Sequence, residues 1–460
     1  MLLKIALRNY YGAMDDTKAK LTEGSVGRHL LAMALPVLMG IFAMMGQGLI
    51  DAYFLGRVGH RALAAYAFAF PILMIVTSVA IGMGAGTSSV VARAIGARDT
   101  RRARRLTTDS LFLSFLVTLA FCIVGVLTIN PLFRLLGAGE DMLPMIREFM
   151  LILYSGVPFV VVGMVGMASM RATGDTRLPS KLMILGAILN VILDPIFIFG
   201  LGPIPALGLN GAAVAALMAR GVIFIGALYL MRGRLNMISF NRPDPVEMRK
   251  SWRDILHVGI PAAGTNAIVP IATAIITALI ASYGVEAVAG FGVASRIESL
   301  VLVMFYALSA VIGPFVGQNL AAGNKDRILE ALRLCMWFCV VAGLVGAGLL
   351  AMTSASLPAL FNDNAEVVSV AKLFLWIAPW GYGGYGLVMT INAAFNGLGK
   401  PMPGVVVSLM RTILLYVPLA LVAQHYYDIV GIFVAYAAAN VITGFVAYGW
   451  VKKTVNQTCT

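Results

Sequence analysis

The chain has 460 residues, 60% of them hydrophobic and only 12% charged, with a net charge of +13. A soluble domain carries about 25% charged residues, so this composition excludes one. The apolar runs are continuous rather than alternating, which excludes a transmembrane barrel. The basic residues gather in every second loop, so the positive charge reads as membrane orientation and not as a nucleic-acid surface.

In chain order, residues 1–28 form a mixed, basic segment without a cleavable signal. Twelve apolar runs follow, at 31–54, 63–85, 107–129, 144–168, 181–201, 208–231, 256–281, 288–312, 332–352, 368–392, 403–423 and 429–451. Each is about 20 residues or more, enough to cross about 30 Å of hydrocarbon. The fold class is therefore an all-α integral membrane protein. The N-terminal segment, the even-numbered loops and the tail hold 26 of the 34 Lys and Arg, which predicts cytoplasmic termini. The predicted units are the segment 1–28, a first lobe at 29–231, a cytoplasmic linker at 232–255, a second lobe at 256–451 and a cytoplasmic tail at 452–460.

The halves repeat at one offset of 225 residues. "LP" at 35–36 meets "IP" at 260–261, "GHRALAAYAFAFPI" (59–72) meets "GVEAVAGFGVASRI" (284–297), and "ATGDT" (172–176) meets "GLGKP" (397–401). Six spans per half is an even number, so both halves enter the membrane in the same direction. That predicts a pseudo-two-fold axis along the membrane normal and a central cleft suited to alternating access.

Three acids lie deep in the spans: Asp51, Asp194 and Glu298. A carboxylate there is costly, so each is a functional candidate. Gln47 precedes Asp51 by four residues and Asn190 precedes Asp194 by four, which puts each amide and its acid on one helix face. Pro195 lacks a backbone donor and predicts a loosened helix beside Asp194; Pro36 predicts the same in the first span. No arginine neighbours either aspartate in sequence, so a neutralisable acid suits these positions better than a permanent charge. Asp51 has a plainer alternative: it caps a helix end or pairs with Arg57 or Arg61. Carboxylate and amide oxygens also suit a hard cation, which leaves Na⁺ at Asp51, Asn190 and Asp194 open beside H⁺. No other metal is expected, since Cys335 and Cys339 have no histidine near them and read as buried apolar residues. Glu298 either meets a cationic substrate or pairs with Arg220 or Arg411. A substrate surface is expected from flexible Met residues, Met44 among them, from Tyr382 and Tyr385 in "WGYGGYG" (380–386), and from Asn392.

Over residues 25–455, the stretches "LPVLMGIFAMMGQGLIDAYFLGRVGHRALAAYAFAFPI" (35–72), "GMGAGTSSVVARAIGARDTRRARR" (82–105), "RATGDTRLP" (171–179) and "NGLGKPMP" (396–403) together resemble the multidrug and toxic compound extrusion (MATE) transporters. The resemblance implies two six-helix lobes and export of organic, often cationic, compounds in exchange for H⁺ or Na⁺. Within it, the DinF-like branch has an aspartate on the first helix and Asn-x-x-x-Asp on the fifth as coupling residues; Asp51, Asn190 and Asp194 match. Gln47 stands where that branch tends to have tyrosine, and Ala212 or Ala213 where it tends to have a hydroxyl. The NorM-like acids on helices seven and ten have no counterpart. The expected protein is thus a proton-coupled drug antiporter, without cofactor or nucleic-acid partner, acting as a monomer among lipids in a bacterial or archaeal plasma membrane. A Na⁺-coupled exporter and a lipid-linked saccharide flippase are the alternatives; the latter calls for a strongly cationic cavity, and only Arg220, Arg296 and Arg411 lie in the spans. A membrane enzyme is disfavoured because the four histidines are scattered.

Overall fold

The computed structural model describes residues 19–239 and 244–458 and is helical throughout the described residues, apart from a single bridge between Leu201 and Ile204. Nine helices run unbroken: α1 (Val26–Val58), α2 (His60–Gly96), α3 (Thr100–Leu135), α4 (Leu143–Ala172), α5 (Arg177–Phe199), α6 (Leu209–Gly233), α7 (Pro245–Ala281), α8 (Val285–Ala321) and α9 (Lys325–Thr353). The tenth span, α10, is Ala365–Ile377 and Tyr382–Gly397 joined by a tight 3-10 turn at Ala378–Gly381, where Pro379 interrupts the ladder. The eleventh, α11, begins as Met402–Leu409, widens into a π-helical stretch at Met410–Tyr416 and continues to residue 426. Tyr427 and Asp428 break it, and α12 occupies 429–458. Twelve crossings result.

The repeat is written into the helix ends. α2 starts at 60 and ends at 96; α8 starts at 285 and ends at 321, each 225 later. The starts of α3 and α9 (100 and 325) and of α5 and α11 (177 and 402) keep the same spacing. Even the sharp turns repeat: Gly59 (φ 136°, ψ 165°) separates α1 from α2, and Gly284 (φ 110°, ψ 169°) separates α7 from α8. Both positions need a backbone open only to glycine, so one residue suffices to reverse the chain.

Several boundaries differ from the sequence reading. α1 already begins at Val26, and Lys20–Thr22 form a turn packed on the bundle; residues 1–18 lie outside the described residues. α7 begins at Pro245, inside the stretch 232–255 read as linker, because Asp244 caps it by accepting from the Val246 N–H and Pro245 fits the first helical turn. Residues 240–243 lie outside the described set. The stretch read as a tail is helical to Thr458. These helices continue past the apolar runs because polar residues extend a helix outside the membrane as readily as apolar ones inside it. Cys335 and Cys339 are buried in α9.

Each lobe packs its own helices, and two sets of helices cross between lobes: α2 lies along α7 and α8, and α1 along α8. The crossing is close at one end only. Near the end that carries the termini, Gly82 meets Gly259, Gly86 meets the Ile255 backbone and Gly96 meets Gln318. Away from that end the same helices diverge around a space of about 740 Å³ lined by Phe70 and Met74 of α2, Val269, Pro270 and Thr273 of α7 and Val288 of α8. The cleft is thus shut at the terminal end and open at the other.

Candidate functional site

The first-lobe acids meet across α1 and α5. Gln47 Nε2 donates to Asp51 Oδ2 at 3.3 Å and also to Asn190 Oδ1. Asn190 Nδ2 donates to Asp194 Oδ1 at 3.2 Å. Gln47 thus bridges α1 to α5, and the four side chains share one site. Asn190 and Asp194 are each 1% exposed and Asp51 is half-buried. Two oxygens, Asp51 Oδ1 and Asp194 Oδ2, are buried and meet no donor among the described residues. Ionised carboxylates only accept hydrogen bonds, so each of these oxygens is free to take a proton or a cation.

Among the described residues neither acid forms an ion pair. Arg57 lies over the Tyr53 ring at 4.9 Å, and Arg61 pairs with Asp141 at 2.6 Å, so the two arginines offered as partners for Asp51 are engaged elsewhere. Tyr66 of α2 and Arg220 of α6 are near enough to feel the Asp51 charge. Tyr66 is hidden in the sequence because a tyrosine in an apolar span looks like an interfacial residue; only its pairing by the repeat with Phe291 marks it. Ala213 is buried and Ala212 half-buried on α6. Pro195 and Pro36 both lie inside continuous helices, α5 and α1.

The second lobe holds a cavity of about 290 Å³. Glu298 of α8 lines it and accepts from the Tyr436 hydroxyl at 2.6 Å. Arg411, in the π-helical stretch, also lines it and is 9% exposed. Its guanidinium stacks over the Tyr385 ring at 4.5 Å, and Nη1 donates to Asn440 Oδ1 at 3.3 Å, while Nε is buried without a partner among the described residues. Glu298 feels the Arg411 charge but forms no ion pair with it among the described residues. Val269 and Thr273 line both this cavity and the open cleft, so the two spaces adjoin.

Of the residues named for a substrate surface, Glu298 and Tyr385 line the cavity. Tyr382 is fully buried beside Glu298, with its hydroxyl unpartnered among the described residues. Asn392 donates to Ser408 Oγ at 2.9 Å, and Met44 is exposed on α1; neither lines the two cavities.

The α1–α2 side of the first-lobe site repeats in the second-lobe cavity. Shifting Gln47, Asp51 and Tyr66 by 225 gives Ala272, Ile276 and Phe291, and all three line the second-lobe cavity. The same place in each lobe therefore carries different chemistry: acids and amides in the first, an acid, an arginine and aromatic rings in the second.

Known proteins of similar sequence and structure agree with this architecture. The MatE family model matches residues 36–196 and 261–422, one copy per lobe. A protein of Shewanella oneidensis named FAD transporter is 38% identical over 93% of this chain and 95% of its own length. The probable multidrug resistance protein YoeA of Bacillus subtilis is 26% identical over 95% of this chain and 97% of its own. The crystal structure of the Vibrio cholerae MATE transporter VcmN in the bent form superposes with a TM-score of 0.89 at 30% identity, over 94% of this chain and 98% of that one. An outward-facing multidrug resistance MATE transporter of the MOP superfamily superposes at 0.90 and 25% identity, over 96% and 98%.

Proposed function

Because the chain belongs to the MatE family, whose members are transporters and not enzymes, we propose that it exports organic compounds in exchange for protons, with Asp51 and Asp194 as the proton-carrying pair. The hydrogen-bonded chain Asp51–Gln47–Asn190–Asp194 carries this reading. Two acids in one site, neither in an ion pair among the described residues, cannot both stay ionised at low cost. A proton taken up by either acid neutralises it and lowers that cost.

With termini in the cytoplasm, the open cleft faces outward. Protons enter from that side and load the pair. The loaded pair draws α1 and α5 together, bound compound loses its contacts, and the lobes rock to the inward-open state, where the proton leaves. Each charge crossing 100 mV contributes about 2.3 kcal/mol. The chain acts as a monomer among lipids of a bacterial or archaeal plasma membrane, and its substrates are drugs or organic cations. The name of the Shewanella relative adds a flavin dinucleotide as a candidate substrate.

Na⁺ coupling is the second reading, favoured by the two unpartnered carboxylate oxygens, Asp51 Oδ1 and Asp194 Oδ2, which have the hardness that ion needs. Purified protein in liposomes, given an imposed pH or Na⁺ gradient, separates them. Uptake of a cationic dye that follows the pH gradient, ignores Na⁺ and disappears in Asp51→Asn and Asp194→Asn is the expected result. Full transport in both variants overturns the proposal.

A further inference from the structure

We infer that the second-lobe cavity is a substrate site for flat aromatic compounds that carry an acidic group, with Arg411 receiving the acid and the surrounding rings receiving the aromatic plane. This deepens the export reading and rests on it for the compound's fate, but not for its binding.

Arg411 is the central observation. A guanidinium in a membrane span is costly unless its charge is used. Here it is nine-tenths buried, and its hydrogen bond goes to a neutral amide, Asn440. Its Nε has no partner among the described residues. Stacking on Tyr385 fixes the plane of the fork and leaves its edge to meet a ligand. A planar fork with a free N–H matches the oxygens of a carboxylate or phosphate, and such charge-assisted bonds are stronger where water is scarce.

The rest of the lining suits a flat ring. Phe291, Phe374, Tyr306 and Tyr416 surround the space, and Phe374 is itself held edge-on by Phe291 and Phe433. These are rigid faces already in place, which lowers the cost of ordering on binding. Glu298 keeps one oxygen on Tyr436 and offers its carboxylate to ring N–H groups. A cavity of about 290 Å³ holds one ring system, near the small end of ligand sites. Val269 and Thr273 line both the cavity and the cleft, which places the site beside the open space. Ile276, the repeat counterpart of Asp51, lines the site, so related places in the two lobes offer an acid in one and a positive fork in the other.

The test uses the full chain in detergent without any gradient, so it reads binding alone. Riboflavin and riboflavin 5′-phosphate share one fluorescent ring and differ by one phosphate. The expected result is that the phosphate form binds at least tenfold tighter, that Arg411→Gln brings the ratio close to one, and that Arg411→Lys keeps part of the preference. Ser299→Trp, which fills the cavity without changing charge, weakens both forms together. Equal binding of the two forms by the unaltered protein, an unchanged ratio in Arg411→Gln, or full binding in Ser299→Trp each overturns the inference. A protein that shows the preference but fails to transport leaves the site intact and removes the export reading.

Discussion

A side chain at position 86 would run into the backbone carbonyl of Ile255, so Gly86 of α2 and Ile255 of α7 fix how closely the two lobes approach. One turn away, a Cβ at Gly82 would sit 2.5 Å from the Gly259 oxygen and 2.6 Å from Ala263 Cβ. Small residues allow helices in a membrane to pack backbone to backbone. The pair thereby forms the shut end of a cleft whose other end, at Phe70 and Val269, is open.

Gly86→Val is expected to hold that end apart. Transport falls at least tenfold, and a cysteine placed at Ala263, half-buried against α2, becomes more reactive toward a water-soluble maleimide. Unchanged transport together with unchanged labelling would show that the glycine contact does not govern the closed end.

A second fastening lies at the same end. Gln318 of α8 accepts from the Leu21 N–H at 3.2 Å and donates to the Ala172 carbonyl of α4 at 2.7 Å. Asn319 and Arg327 both donate to the Leu21 carbonyl, at 3.1 and 3.0 Å. The N-terminal turn is thus tied to the second lobe, and Gln318 ties both to the first. Gln318→Leu keeps the volume but leaves a buried N–H and a buried carbonyl unpaired, at about 1–3 kcal/mol each. The expected outcome is a lower melting temperature and greater protease sensitivity near Leu21. A variant that melts like the parent would mean that water replaces both bonds.

The architecture was legible because a membrane imposes few solutions: twelve apolar runs of sufficient length, and a repeat visible in short matches, already define two six-helix lobes. The acid site was legible for a local reason. Gln47–Asp51 and Asn190–Asp194 are each spaced by one helical turn, so sequence alone puts each amide beside its acid. That the two pairs meet depends on α1 packing along α5, which no local spacing encodes. Arg411 was visible only as an intramembrane arginine. Its setting depends on a π-helical widening and on Tyr385, Asn440 and Glu298 arriving from three other helices. Tyr382 shows the converse: it lies in the same aromatic run and core as Tyr385, yet only Tyr385 reaches the cavity lining.

Asn190 joins the two acids, so its loss separates them. Asn190→Leu keeps the helix and the volume while removing a donor to Asp194 and an acceptor for Gln47. Hydrogen bonds to charged groups contribute about 1.5–3 kcal/mol, so proton-driven export should fall by roughly ten- to a hundredfold. Asn190→Gln, which lengthens the link but keeps both functions, retains more. The check is initial dye flux in liposomes under a fixed pH gradient. Equal flux in Asn190→Leu and the parent would show that the acids act independently.

The break between α11 and α12 offers a prediction of opposite sign. Asp428 takes φ 50° and ψ −140°, directly before α12. Its counterpart before α6 is Gly208, at φ 54° and ψ −125°. That region is open to glycine and strained for a side chain, by about 1–3 kcal/mol. The Asp428 side chain is exposed, so nothing in the core depends on it. Glycine removes the strain but loosens the unfolded chain by about 0.4–1 kcal/mol, which leaves a net gain of about 1 kcal/mol for Asp428→Gly. Asp428→Ala keeps the Cβ and gains nothing, while Gly208→Ala imports the strain into the first lobe and lowers stability. Melting temperatures of the three variants in one detergent test the set. The ordering Asp428→Gly above parent, parent near Asp428→Ala, and Gly208→Ala lowest is required, because the two turns differ in sequence but share one backbone shape.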